Sequence, residues 1–209
     1  MEKSFSPDEV HTHVWDILRC VTLLWALGIS HGDISLGNIM STSPDEDGKK
    51  RVVLIDFDLA AVDQPGPLER SFERTNAKPF MAVELLSYAA DEDEDEPVPH
   101  LLRHDIESIF WCLICYCREH RRWDWTLGTY QQVFEKKVAC LFFTDPNKPD
   151  KYYIPPFQKY QSLWRATVLF LVQEDVIFRQ ECSVPPRVPR TVKDVLESCE
   201  ALFPSPGGI

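Results

Sequence analysis

Hydrophobic residues recur at intervals of three and four positions over residues 10–25, which predicts an amphipathic helix with one broad apolar face. The residues before this run favour a helix start, because Ser6 can cap the first turn, Pro7 fits its first position and Glu9 can close a capping box. Gly28 then supplies a helix stop. The chain is therefore expected to open with a core helix.

The pattern changes further along the chain. A short β-branched run at 52–55 predicts a buried strand that ends at Asp56, and 57–79 predicts a long irregular segment because it has no period and several Pro and Gly residues. The strongly apolar stretch 105–117 predicts a central helix. Further helices are predicted near residue 81 and at about 126–140, 158–174 and 191–202.

These elements predict a mainly α fold with a few short strands around polar loops. The length of 209 residues fits a single domain, 1–209, and 44% hydrophobic residues are enough for a folded core. The sequence shows no internal repeat. Disordered and fibrous classes are excluded by this composition.

Charge narrows the choice of partners. The net charge is -11, and six of the carboxylates form one acidic block at 91–96. Nucleic-acid binding is disfavoured, since it depends on cationic neutralisation of phosphates. The acidic block is interpreted as a solvated loop, and a sharper hypothesis makes it an attractor for basic substrate peptides.

Nothing in the sequence indicates a membrane or an export route. The chain has no stretch of about 18 uncharged apolar residues and no signal peptide, so an intracellular protein of the cytoplasm or nucleus is expected. The seven cysteines are odd in number. Cys20, Cys112, Cys140 and Cys199 lie among apolar residues and are interpreted as reduced core residues rather than disulfides or zinc ligands.

Two polar constellations carry the candidate chemistry. The first reads His-Gly-Asp-Ile-Ser-Leu-Gly-Asn over residues 31–38, here called the 31–38 loop, and the second is Asp56 at the predicted strand end. Phosphoryl transfer needs a carboxylate near the attacking hydroxyl and oxygen ligands for magnesium. Asp33 supplies such a carboxylate, and Asn38 and Asp56 supply such ligands.

The chain resembles the protein kinase superfamily, and most closely the fungal-type protein kinase family. Four blocks in kinase order carry this resemblance over roughly residues 6–203, where one block alone would be weak. They are the 31–38 loop, Leu-Ile-Asp-Phe-Asp-Leu-Ala at 54–60, Lys-Pro-Phe-Met-Ala-Val-Glu-Leu-Leu at 78–86 and His-Asp-Ile-Glu-Ser at 104–108.

The resemblance implies a protein serine/threonine kinase C-lobe that uses ATP and Mg²⁺ on a protein substrate. In that interpretation Asp33 orients the substrate hydroxyl and accepts its proton, while Asn38 and Asp56 hold the metal. His31, Ser35 and Asp58 are supporting residues.

The resemblance also implies structural roles. Residues 75–80 would form the substrate-facing loop. Glu84 would pair with a late arginine, Arg190, and Asp105 would tie the backbone of the 31–38 loop in place.

The chain departs from the usual kinase pattern at three positions of the site. Gly32 replaces an arginine, so switching by a phosphate on the activation loop is not expected. Ser35 replaces a lysine, which removes a positive charge near the transferred phosphate. Asp58 replaces a glycine and is either a backbone restriction or an extra acidic group near the metal.

A kinase N-lobe is missing from the sequence. Only 30 residues precede His31, and they show no glycine-rich phosphate loop, no strand lysine and no partner glutamate. Efficient catalysis is therefore expected to need an upstream segment or a partner that covers the cleft.

Two other functions stay open. A small-molecule kinase of the aminoglycoside or choline phosphotransferase type has a similar His-Gly-Asp loop, but the blocks at 78–86 and 104–108 favour a protein kinase. A non-catalytic pseudokinase or scaffold is the other alternative, because a missing lobe would expose apolar surface for a partner.

Overall fold

The computed structural model describes residues 5–46, 48, 50–62, 78–90, 100–117, 128–142, 158–183 and 191–205. Within these ranges the fold is mainly helical, as predicted from the sequence. The six helices are α1 (Pro7–Ala26), α2 (Val83–Ala90), α3 (Leu102–Cys117), α4 (Tyr130–Phe142), α5 (Gln161–Ser183) and α6 (Val192–Leu202), with a 3-10 turn (Gln158–Tyr160) before α5. The strands are β1 (Ile29–Ser30), β2 (Ile39–Ser41), β3 (Val52–Leu54) and β4 (Ala61–Val62).

Helix α1 begins where the sequence predicts. Ser6 is its N-cap, and the capping box is complete because the Ser6 Oγ accepts from the Glu9 amide at 3.2 Å and the Ser6 amide donates to Glu9 at 2.7 Å. Leu27 ends the helix, and Gly28 follows with φ of 80°, a conformation that favours glycine.

Helix α3 is the centre of the core, as its apolar sequence predicts. Twelve of its 16 residues are buried. It packs against α1 on one side and α5 on another, and the Phe110 ring lies 4.2 Å from that of Phe170. Asp105, which lies in the first turn of α3, is consequently buried in the protein interior.

Two antiparallel strand pairs frame the 31–38 loop. Strand β1, which precedes the loop in the sequence, pairs with β4. Strand β2, which follows the loop, pairs with β3. The Asn38 carbonyl accepts from the Ile55 amide at 2.9 Å and extends the second pair by one bond. The two pairs thus hold both ends of the loop and the start of the segment that carries Asp56.

Two sequence expectations are corrected by this structure. The predicted strand at 52–55 is one residue shorter and not buried, since Val53 faces outward with 41% of its surface exposed. Met40 of β2 pairs with Val53 of this strand. Cys20 is exposed on α1 rather than in the core, whereas Cys112, Cys140 and Cys199 are buried.

Helices α4 to α6 lie close to their predicted positions, although α5 runs nine residues beyond the expected 174. The acidic block at 91–96 lies outside the described residues, as do residues 75–77 of the predicted substrate-facing loop at 75–80. No helix in the described part of the chain is long and apolar enough to cross a membrane.

Candidate active site

The 31–38 loop brings Asp33 and Asn38 together. The Asn38 Nδ2 donates to the Asp33 carbonyl oxygen at 2.8 Å and to its carboxylate Oδ2 at 3.1 Å. With its amide nitrogen used in this way, Asn38 keeps its side-chain oxygen as an acceptor. The pair therefore presents a carboxylate and an amide oxygen in a fixed relation to each other.

The second carboxylate oxygen of Asp33 has an unusual environment. Oδ1 is buried and has no hydrogen-bond partner within the described residues. Burial raises the pKa of Asp33, and the nearby Asp56 carboxylate raises it further, against the lowering effect of the Asn38 hydrogen bond. The structure thus holds one oxygen of Asp33 by hydrogen bonding and leaves the other for a proton or a donor group.

Asp56 follows β3 in a strained backbone conformation. Its φ of 65° is the only positive value for a non-glycine residue in the described part of the chain. Such a conformation costs on the order of 1 kcal/mol for an L-residue and often accompanies a functional position. The Asp56 side chain is exposed, near enough to Asp33 to affect its pKa.

Gly32 has two structural reasons to be glycine. Its φ is 76°, and a Cβ at this position would lie 3.0 Å from the Leu59 carbonyl oxygen. The absence of the arginine expected in many kinases therefore coincides with a backbone that disfavours a side chain here.

Asp105 connects α3 to the 31–38 loop. Its carboxylate accepts from the His31 amide at 3.1 Å, the Gly32 amide at 3.3 Å and the His100 Nε2 at 2.8 Å. Burial alone would raise the pKa of Asp105, but His100 and the backbone donor of His31 lower it below the ordinary value. Asp105 is consequently an ionised acceptor inside the core.

His31 joins the loop to the segment after β3. It is buried, its Nδ1 accepts from the Asp33 amide at 3.3 Å, and its Nε2 lies 3.2 Å from the Ile55 carbonyl oxygen. Because a carbonyl only accepts, the proton sits on Nε2. One imidazole ring thus links the residue before Asp56 to the amide of Asp33.

Ser35 and Asp58, the two other supporting positions, lie outside the hydrogen bonds that join Asp105, His31 and Asp33. The Ser35 Oγ accepts from the Asn38 amide at 3.3 Å, which tightens the turn of the loop. Asp58 is exposed in a turn two residues after Asp56. Both lie close in sequence to the predicted metal ligands.

Glu84 has partners that the sequence analysis missed. Its carboxylate pairs with Arg103 and accepts from His104 Nε2 at 2.5 Å, which anchors α2 to the start of α3. Burial and the neighbouring His100 and Arg103 lower the pKa of His104 well below its usual range. Arg190, the expected partner of Glu84, lies outside the described residues.

A buried polar cluster near α2 was also missed. The fully buried Lys137 of α4 donates to the Met81 carbonyl and lies 4.3 Å over the Trp111 ring. Glu107 accepts from the Val83 amide at 2.8 Å and from Trp111 Nε1 at 2.9 Å. The sequence signal was weak, because a lysine in an amphipathic helix is usually solvated.

The candidate metal ligands at this site are the side-chain oxygen atoms of Asn38 and Asp56. The described residues contain no cluster of three or more His, Cys, Asp or Glu side chains that could hold an ion. Magnesium is commonly bound by only one or two protein carboxylates together with substrate phosphates. The oxygen atoms of Asn38 and Asp56 fit that kind of site, although not a site made by protein alone.

Comparison with known proteins gives the class of this molecule. Residues 6–117 match the family model described as fungal protein kinase. Because this match covers more than half of the 209 residues, the chain belongs to the fungal protein kinase family. A comparison with curated proteins finds no match.

Proposed function

We propose that this chain is the C-lobe of a protein serine/threonine kinase domain, which transfers the γ-phosphoryl group of ATP to a protein hydroxyl. The observation that carries the proposal is the Asp33–Asn38 pair, in which Asn38 holds one carboxylate oxygen and the other is buried without a partner in the described structure. Membership of the fungal protein kinase family supports the reaction class.

Asp33 is the proposed catalytic residue. A substrate hydroxyl donates to the Asp33 carboxylate, which orients the hydroxyl oxygen for attack, and the proton passes to that carboxylate as the new bond forms. A raised pKa suits this role, because it makes the carboxylate a stronger base than an exposed aspartate. His31 and Asn38 keep the aspartate in place from its amide and its carboxylate.

Asn38 and Asp56 are the proposed metal ligands. Bound Mg²⁺ would neutralise charge on the phosphates of ATP. The hydrogen bond from the Ile55 amide to the Asn38 carbonyl joins the backbone segments that carry these two residues. Residues that cover the phosphates and contact the adenine are proposed to come from an upstream segment or a partner.

A pseudokinase or scaffold role is the second candidate, and a specific observation favours it. Met40 and Val53 pair across β2 and β3 with 49% and 41% of their surfaces exposed. Apolar side chains grouped in this way indicate a surface that another protein segment covers. The family match gives no support to a small-molecule phosphotransferase.

Calorimetric titration with ATP in the presence and absence of Mg²⁺ tests the kinase proposal. We expect saturable binding that requires Mg²⁺ and weakens about tenfold or more in Asp56→Asn, since loss of one charged ligand costs on the order of 1.5–3 kcal/mol. Asp16→Asn is the matched control, because Asp16 is an exposed aspartate on α1 that pairs only weakly with Arg19.

The titration separates the two candidates. Binding that Asp56→Asn removes and Asp16→Asn leaves intact would support the kinase, and a peptide phosphorylation screen with Asp33→Asn would then follow. Binding that Asp56→Asn leaves intact would reject the proposed metal site and favour the scaffold role, whereas a folded chain that binds no ATP would show that the residues supplied from elsewhere are indispensable for binding.

A further inference from the structure

His100 makes the shortest of the three hydrogen bonds to Asp105. Its Nε2 lies 2.8 Å from Oδ1, whereas the amides of Gly32 and His31 lie at 3.3 and 3.1 Å from the carboxylate. The side chains of His100 and Asp105 are only 7% and 2% exposed. A hydrogen bond to a charged group is stronger than a neutral one, particularly when both partners are shielded from water.

The tautomer of His100 follows from its surroundings. Nε2 faces a carboxylate and must donate, while Nδ1 is buried without a hydrogen-bond partner in the described residues. The imidazole therefore directs its single useful donor at Asp105. The rings of His104, at 5.5 Å, and Trp25, at 6.5 Å, pack around it.

This contact acts on the 31–38 loop through Asp105. The two amides that Asp105 accepts belong to the residues just before Asp33, so the orientation of its carboxylate fixes the backbone that carries Asp33. His100 also lowers the pKa of Asp105 against the effect of burial. An ionised carboxylate is an acceptor at both oxygens, as these bonds require.

We infer that His100 is a positioning residue, which holds the Asp105 carboxylate in the orientation that binds the amides of His31 and Gly32 and thereby places Asp33. The inference rests on the proposed function for its catalytic meaning. The structural part of the inference is that the His100 Nε2 donor fixes the 31–38 loop through Asp105. This part can be tested without ATP or turnover.

Amide hydrogen exchange in two His100 variants provides the test. The amide of His100→Gln reaches the former Nε2 position and keeps the donor, whereas the shorter side chain of His100→Asn does not reach Asp105. We expect His100→Asn to speed exchange of the His31 and Gly32 amides about tenfold or more, and His100→Gln to stay close to the parent. Exchange in α1, for example at Leu18, should not change.

His13→Asn is the matched control. His13 is another buried histidine, and neither of its ring nitrogens has a partner in the described structure, so the same substitution there should leave the His31 and Gly32 amides unchanged. A merely structural role for His100 would instead raise exchange throughout the core.

Each exchange result either supports or overturns the positioning role of His100. Unchanged exchange at His31 and Gly32 in a folded His100→Asn, or acceleration by His13→Asn as well, would overturn it. If His100→Asn does not fold, His100→Gln decides: parental exchange supports the inference, and faster exchange or failure to fold contradicts it.

Turnover gives a further readout where the chain phosphorylates a peptide. His100→Asn should then lower kcat about tenfold with little change in the KM for ATP, and His100→Gln should restore it, because Asp33 is displaced while the metal ligands are not. ATP binding that Asp56→Asn leaves intact would reject the proposed function and leave the exchange result standing.

Discussion

At the scale of single residues, Asp33 shows a conflict between stability and chemistry. One of its carboxylate oxygens is buried without a partner in the described structure, which disfavours the charged form and raises the pKa of the group. A group with a raised pKa in the folded state adds stability below its unfolded pKa, and that contribution is lost as the pH rises through the folded value. At neutral pH the ionised Asp33 therefore opposes folding.

Asp33→Asn should accordingly stabilise the protein at pH 7. The expected gain is about 1 kcal/mol or less, because the group is only partly buried, and it should disappear near pH 3, where Asp33 is protonated in both states. Urea unfolding at the two pH values, with Asp16→Asn as the exposed control, measures this. An equal loss of stability at both pH values would contradict the argument, and phosphoryl transfer should be lost in either case.

Gly32→Ala makes a second prediction at this scale. A Cβ would meet the Leu59 carbonyl at 3.0 Å and the φ of 76° disfavours an L-residue, so we expect a loss of about 1–3 kcal/mol in the free energy of unfolding. Gly37→Ala is the control, because the nearest atom to a Cβ there is the Ser35 Oγ at an ordinary 3.5 Å. Equal denaturation midpoints for the two variants would show that position 32 tolerates a side chain.

At the scale of helices and strands, the sequence predicts the features that are set by residues close together in the chain. The capping box of Ser6 and Glu9 defines the start of α1, and the apolar run of α3 predicts a helix buried on nearly all sides. The exposure of Val53 could not be predicted, since a short apolar run does not tell which face an adjacent element covers.

The candidate site likewise contains residues that the sequence predicts and residues that it does not. Residue types and their spacing along the chain are enough to single out Asp33, Asn38 and Asp56. His100 and Lys137 could not be found, because their roles depend on contacts between different elements and neither lies in a recognisable motif. The pairing of Glu84 was missed for the same reason.

Lys137 provides a prediction about how α4 packs. Burial lowers the pKa of Lys137 to about 7, although the Glu107 carboxylate acts in the opposite direction. The unfolded chain then binds one more proton than the folded chain between about pH 7 and 10, so stability due to this group rises with pH in that window, by up to about 1 kcal/mol per pH unit.

Lys137→Met should remove this dependence. Chemical unfolding from pH 7 to 9.5 should show a shallower rise in stability than in the parent, while Lys193→Met, which alters an exposed lysine of α6, should keep the parental slope. If Lys137→Met and the parent have the same slope, the lysine remains charged in the folded protein across this range.

At the scale of the whole molecule, the part that matches the family model depends on the part that does not. Phe110 of α3 packs on Phe170 of α5 and on Phe203, which follows α6. These residues belong to one buried cluster that extends from Phe5 to Phe203. We therefore propose that residues 5–205 fold as one domain, although the match ends at residue 117.

Trp15→Phe tests this proposal across the longest of these contacts. The Trp15 Nε1 donates to the Phe203 carbonyl at 3.1 Å over a separation of 188 residues, and both side chains are buried. Loss of this buried donor should cost about 1–3 kcal/mol. In a single domain the whole denaturation curve should shift by that amount, with the same midpoint by circular dichroism and by tryptophan fluorescence.

Trp25→Phe is the control for this experiment, because the partly buried Trp25 makes no side-chain hydrogen bond in the described residues. It changes the fluorescence by the same loss of one indole, so a difference in midpoint between the two variants reports on the Trp15 contact. If Trp15→Phe instead splits the unfolding transition into two, the region matched by the family model and the C-terminal helices unfold as separate units. The contact of α1 with Phe203 would then join two units that do not unfold together.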